Sequence, residues 1–237
     1  MRNMRTLSSR AIHAAAACAL ALGLAGTAQA LTLADLAGGA SISTPDGTLT
    51  FHDFEVTLPG TVGTATNAFA GLDLSIIEVE ALPSAGFGFK VLEFDAPLVV
   101  ALDQIGQMVV AYQVTANPTV RITGVGLRFT GTALGTGASA RIDEVVSFAG
   151  GSADLHAVRQ AGGTQDPDDS VSLPAPAASV GVEKTITLDV TGRQAMFAQL
   201  SEFEQSYSVA PVPEPGAFLI FGGSLALIVG ASRRRLL

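Results

Sequence analysis

Met108-Val109-Val110-Ala111-Tyr112-Gln113-Val114-Thr115 decides the fold class of this chain. Met108, Val110, Tyr112 and Val114 recur with strict period two, the spacing that sends alternate side chains to one face of a strand. Working outward, similar short runs stand between Gly, Pro, Asn and Asp clusters. They are Leu49–Leu58, Leu72–Val79, Phe87–Phe94, Val120–Phe129, Ala138–Phe148, Thr185–Val190 and Phe197–Val209. Around Glu144, Ile142, Val146 and Phe148 keep the same parity. Many short strands with turn residues between them predict an all-β domain, a sandwich or barrel. Phe51 and Phe54 fall out of phase, which predicts a bulge at His52-Asp53. Gly124 and Gly126 interrupt a strand pattern. Only Leu31–Leu36 reads as helical, a single turn with Thr32 as its N-cap. Pro45-Asp46-Gly47 and Asn117-Pro118 read as turns. Residues 161–178 (AGGTQDPDDSVSLPAPAA) read as the longest loop, followed by a final hairpin within the same domain.

The chain has 237 residues, 48% hydrophobic and only 14% charged, with a formal net charge of −8. One Cys, Cys18, excludes an internal disulfide framework and a cysteine zinc cluster. An acidic balance argues against nucleic acid as a partner.

Both ends read as addresses. Residues 1–30 have the layout of a secretory signal peptide: Arg2, Arg5 and Arg10, an apolar run from Ala11 to Ala25, and small residues at Ala28 and Ala30 for a signal-peptidase cut after Ala30. The general secretion machinery is the expected route, since no twin arginine is present. Gly216–Ser232 is 17 residues without a charge, and Arg233, Arg234 and Arg235 follow. As a helix it would span roughly 25 Å, close to the ~30 Å of a bilayer core. The arginines place the C-terminus in the cytoplasm and residues 31–212 outside, the topology that a signal peptide also imposes.

Pro213-Glu214-Pro215, the helix 216–232 and the basic tail 233–237 stand in that order. Here the sequence resembles the PEP-CTERM family of Gram-negative bacteria. The resemblance implies an exosortase, a membrane-embedded cysteine protease or transpeptidase, as the partner that cuts at the motif. It also implies a link to exopolysaccharide and biofilm. The segment Leu33-Ala34-Asp35-Leu36 with Gly47–Phe54 resembles PEP-CTERM ectodomains too, and implies a β-sandwich without a defined activity. Independently of the family, Pro213 and Pro215 hold the segment extended, as a protease cleft requires. The organisation expected is a signal peptide at 1–30, an all-β extracellular domain at 31–210 and a sorting signal at 211–237. Export would pass through an inner-membrane-anchored stage to the cell surface or medium.

Residues that carry chemistry are sparse. His52 and His156 are the histidines outside the N-terminal signal, and neither has metal-ligand spacing. No nucleophile elbow, P-loop or complete dinucleotide fingerprint occurs; Gly124-Val125-Gly126 and Gly135-Thr136-Gly137 read as turn glycines. Asp166, Asp168 and Asp169 form the one candidate calcium loop, although the EF-hand Gly and Glu are lacking. Asp143 and Glu144 are strand neighbours and point to opposite faces, so they cannot act as a pair. No catalytic residue, metal or cofactor is therefore expected. The reading is a non-enzymatic structural or adhesive domain. The alternatives are a secreted carbohydrate-binding or carbohydrate-active protein and a permanently anchored surface protein. The absence of Trp, with only Tyr112 and Tyr207, weighs against sugar platforms. Once residues 1–30 and 216–237 are set aside, 21 acidic residues face seven basic ones, a charge of −14. Such a domain repels anionic polysaccharide unless cations bridge them.

Overall fold

The structure, a computed structural model, describes residues 29–82, 89–192 and 194–213. The expected signal peptide up to Ala28, the motif residues Glu214 and Pro215, the expected helix at 216–232 and Arg233–Arg235 lie outside the described residues. No helix among the described residues is long and apolar enough to cross a membrane.

The described residues are predominantly β, with two antiparallel sheets packed on one hydrophobic core. The first sheet holds β1 (Gln29–Thr32), β6 (Glu78–Leu82), β7 (Phe89–Ala101), β15 (Phe197–Pro211), β9 (Val120–Leu134) and β13 (Asp168–Ala177), in that spatial order. The second holds β12 (Gln165–Asp166), β11 (Gly151–Gln160), β10 (Ser139–Phe148), β14 (Ser179–Asp189), β8 (Ile105–Ala116), β3 (Leu49–Thr57) and β2 (Ile42–Ser43). A small hairpin, β4 (Thr61–Val62) with β5 (Ala65–Thr66), stands apart. Along β8 the expected alternation holds: Met108, Val110, Tyr112 and Val114 are buried. They meet Phe203 and Tyr207 of β15 and Phe94 of β7 across the sandwich. Phe94 stacks on Phe203 at 4.3 Å between ring centroids, and the Tyr112 and Tyr207 hydroxyls hydrogen-bond at 3.0 Å.

Local signals behave as their chemistry requires. Helix α1 (Leu33–Ala37) starts at Thr32, whose hydroxyl accepts from Asp35 N–H while Asp35 accepts from Thr32 N–H. This reciprocal capping box buries Leu33 and Leu36. The bulge in β3 falls between His52 and Glu55, with Asp53 left-handed at φ 56°. Gly47, at φ 64°, closes the turn that begins at Thr44.

Four expectations are corrected. Leu72–Val79 is not one strand: the Asp73 carboxylate accepts from Ser75 N–H at 2.9 Å and starts a 3-10 turn, Leu74–Ile76, before β6. Residues 161–178 are not one long loop, because β12 and β13 run through them and switch sheets at Pro167. Pro174 and Pro176 are tolerated because β13 is an edge strand whose pairing with β9 shifts between Ser172 and Ala177. The last two long strands form no hairpin: β14 lies between β10 and β8, and β15 lies in the opposite sheet between β7 and β9. Gly124 and Gly126 are strand residues of β9 rather than turn residues, whereas Gly135 and Gly137 do occupy a turn, at φ 84° and 95°.

Candidate functional site: a polar groove and acidic face on the outer sheet

Period two fixes what the first sheet shows to its outer side. Inward go Leu92, Phe94, Phe203, Gln205, Tyr207, Val125 and Leu127. Outward go the residues between them, and the register sets them in rows. One row reads Glu80, Glu93, Glu204, Arg128, Asp168 from β6 to β13. A neighbouring row reads Glu78, Asp95, Glu202, Thr130. On the other side comes Val91, Ser206, Gly126, Ser170.

At the β15–β9–β13 end this face forms a groove of about 620 Å³ lined by Arg128, Thr130, Glu204, Ser206, Asp168 and Ser170. It continues into a second hollow of about 440 Å³ over Gly124, flanked by Ser172 and Ser208. Glycine makes the floor: a Cβ on Gly126 would stand 2.6 Å from Ser206 Oγ. Arg159 also reaches the larger hollow, and its buried Nε has no hydrogen-bond partner among the described residues. The lining donates and accepts hydrogen bonds but offers no exposed aromatic ring.

Toward β6 the face is acidic. Ligand oxygens of Glu93, Glu202 and Glu204 lie within 4.8 Å of one another. Partial burial, then the charges of Glu202, Glu204, Glu80 and Asp95, raise the Glu93 carboxyl above its ordinary range. Glu202 is raised first by burial and then by its hydrogen bond to Glu204, with Arg128 opposing. A carboxyl raised in the folded state contributes fully below its unfolded pKa, and that contribution is lost as pH rises through the folded value. Glu93→Gln is therefore expected to stabilise the domain at pH 7 by up to about 1 kcal/mol, the scale of exposed charge interactions. The gain should vanish below the carboxylate range. Urea unfolding at the two pH values checks this.

The residues singled out from sequence do not assemble into one site. His52 Nδ1 meets Asp53 and its Nε2 meets Thr115 Oγ1, both at 2.9 Å. His156 Nδ1 meets Asp143 at 2.6 Å, and Arg141 pairs with the same carboxylate at 2.8 Å. The histidines sit on β3 and β11, with β8, β14 and β10 between. Asp166 and Asp168 lie on different strands. Asp169 accepts from His156 N–H and Ser170 N–H, which ties the edges of the two sheets together. Asp143 and Glu144 do point oppositely, Asp143 outward and Glu144 to the core. Ala30 pairs with Glu80 in β1, and Pro213 follows β15 directly.

Sequence reasoning missed a buried polar cluster. Lys184, Glu144 and Gln205 are 0%, 1% and 0% exposed. Lys184 Nζ donates to Glu144 Oε2 and to Gln205 Oε1, and Gln205 Nε2 donates to Glu144 Oε1 at 2.9 Å. The signal was present in parity: each residue occupies the inward register of its strand, between Val182 and Ile186, Ile142 and Val146, and Phe203 and Tyr207.

Fold and face together define a class: an antiparallel β-sandwich with a polar groove on one outer face. No family model and no curated protein matches the chain. Among solved structures it is similar to a carbohydrate-binding module, TmCBM61, in complex with beta-1,4-galactotriose, at 12% identity and TM-score 0.31 over 61% of this chain and 94% of that one. It is similar to the family 11 xylanase from Neocallimastix patriciarum at 6% identity and TM-score 0.25, over 78% of this chain and all of that one. It is also similar to the CBM22-1 xylan-binding domain from Paenibacillus barcinonensis Xyn10C, at 12% identity and TM-score 0.22 over 78% and 97%. Likenesses at TM-scores this low carry no argument about what this chain does.

Proposed function

We propose that this chain is an exported surface or extracellular-matrix protein, sorted and cut at Pro213-Glu214-Pro215 by an exosortase. Its β domain is non-enzymatic and serves structurally or adhesively in an exopolysaccharide matrix. The observation that supports the reading is where the last described strand ends. Pro211 still pairs with Val120, and Val212 N–H donates to Thr119 C=O at 2.8 Å. The next residue, Pro213, has no N–H with which to prolong the ladder. The last strand therefore stops just short of the first residue of the motif. At the other end, a cut after Ala30 removes two pairs of β1 and keeps Leu31 opposite Val79 and Thr32 opposite Glu78.

The test is expression of the full chain with and without an exosortase, followed by the intact mass of the C-terminus. The tail should be lost only when the enzyme is present, and replacement of all three motif residues by Ala should retain it. Equal mass and equal membrane retention in both strains would overturn the sorting reading. The groove over Gly124 and Gly126, with its serines, Arg128 and Glu204, favours the second reading of a carbohydrate-binding protein, which a glycan array on the purified protein separates from a purely structural role.

A further inference from the structure

We propose that Lys184 and Gln205 join in an intramolecular isopeptide bond, with Glu144 as the proton-transferring group, so that the two sheets are covalently tied. The three groups form a closed ring of contacts in the core: amine to carboxylate, amine to carboxamide oxygen, carboxamide nitrogen to carboxylate. Glu144 and Lys184 are direct cross-strand partners on β10 and β14, and Gln205 reaches them from β15 in the opposite sheet. Above them lie the buried Tyr112 and Tyr207 hydroxyls, which satisfy each other. The three side chains are closed off from bulk solvent and their geometry is set by three strands, the condition under which an oriented intramolecular reaction gains most.

Each group has the chemistry the step needs. Burial lowers the Lys184 amine below its ordinary range, with Glu144 opposing, which favours the neutral nucleophile. The Glu144 carboxylate first takes a proton from the ammonium. The freed Nζ lone pair then attacks Gln205 Cδ, and the N–C bond forms as the carbonyl electrons move to Oε1. Glu144 relays one Nζ proton to Nε2, the Cδ–Nε2 bond breaks, and ammonia leaves. The product is a secondary amide between Nζ and Cδ with Glu144 protonated, and no oxidant or other reactant is consumed. Gln205 is the electrophile and Glu144 the proton carrier, because once Glu144 has taken the ammonium proton it can pass a proton to the carboxamide nitrogen, which then leaves as ammonia. The bond is independent of sorting, and neither terminal signal takes part.

Mass spectrometry of the protein expressed from the full chain tests the bond. After denaturation and tryptic digestion, a branched peptide holding Lys184 and Gln205, lighter by one ammonia, is expected as the main species. Trypsin should not cut at the acylated Lys184. Linear Lys184 and Gln205 peptides in folded protein would overturn the proposal. So would an ammonia loss placed elsewhere, or a loss of water that ties Lys184 to Glu144. Glu144→Gln should fold with both peptides linear, and a fully linked Glu144→Gln protein would remove Glu144 from the step. If that variant does not fold, Glu144→Asp decides the role instead. It keeps a carboxylate one methylene short and should link at least tenfold more slowly, so an unchanged rate would exclude Glu144.

Discussion

Lys184→Met should destabilise the domain by about 3–5 kcal/mol, because it removes the tie and leaves the Glu144 carboxyl and the Gln205 amide buried without the nitrogen they share. Domains of ordinary size are stable by only about 5–15 kcal/mol, so the variant sits close to unfolding at 37 °C. Urea denaturation, followed by far-UV circular dichroism, measures the loss. The informative control replaces the whole cluster, Lys184→Met with Glu144→Leu and Gln205→Leu, because apolar residues of similar volume often substitute for a buried charge cluster at little cost. The triple variant should recover the penalty of the unpartnered polar groups and fall short of the parent by the contribution of the covalent tie. For a closed loop of about 20 residues, chain entropy puts that contribution at roughly 3 kcal/mol. Full recovery to the parent value would mean that the tie adds nothing to stability.

Asn67→Ala should cost about 3–4 kcal/mol by the same measurement, since it strands several buried backbone groups at once. Asn67 is 3% exposed and uses its whole amide. Nδ2 donates to Pro59 C=O at 2.7 Å and Gln107 C=O at 2.8 Å, while Oδ1 accepts from Phe69 N–H at 3.0 Å and Gln107 N–H at 2.8 Å. These four bonds pin the crossing between β3 and β6 onto β8. Beside them the Phe69 ring lies over Gly106, where a Cβ would stand 2.6 Å from the ring. Asn67→Asp should be at least as damaging as Ala at pH 7, although it conserves shape. A carboxylate cannot donate to either carbonyl, and its charge would be buried against them. An Asn67→Asp variant as stable as the parent would show that shape, not donation, holds the crossing.

Much of the fold is legible because its signals are local. Met108 to Val114 needs no partner to declare a strand, and Thr32 with Asp35 needs only its own turn to cap a helix. Phe51 and Phe54 out of phase report the bulge because parity is counted along one chain. Legibility fails where burial is one-sided or the backbone has another option. β13 buries only Leu173 and Ala177 and carries two prolines, so its alternation is hidden until β9 lies beside it. Leu72–Val79 has strand composition, yet the Asp73 side chain offers Ser75 N–H a turn instead.

The site divides the same way. Composition alone shows that residues 31–215 are acidic, cysteine-free and poor in aromatic platforms. Order along the chain alone places Pro213-Glu214-Pro215 after the last strand. Only the tertiary structure could set Glu80, Glu93, Glu204, Arg128 and Asp168 in one row, because they come from five strands whose register depends on pairing. Only it could bring Gln205 against Lys184 and Glu144, since β15 and β14 follow one another in the chain but lie in opposite sheets. Parity determined by sequence says that those three residues face inward. Which inward-facing groups meet is decided by the packing of one sheet on the other, and no count along the chain contains that distance.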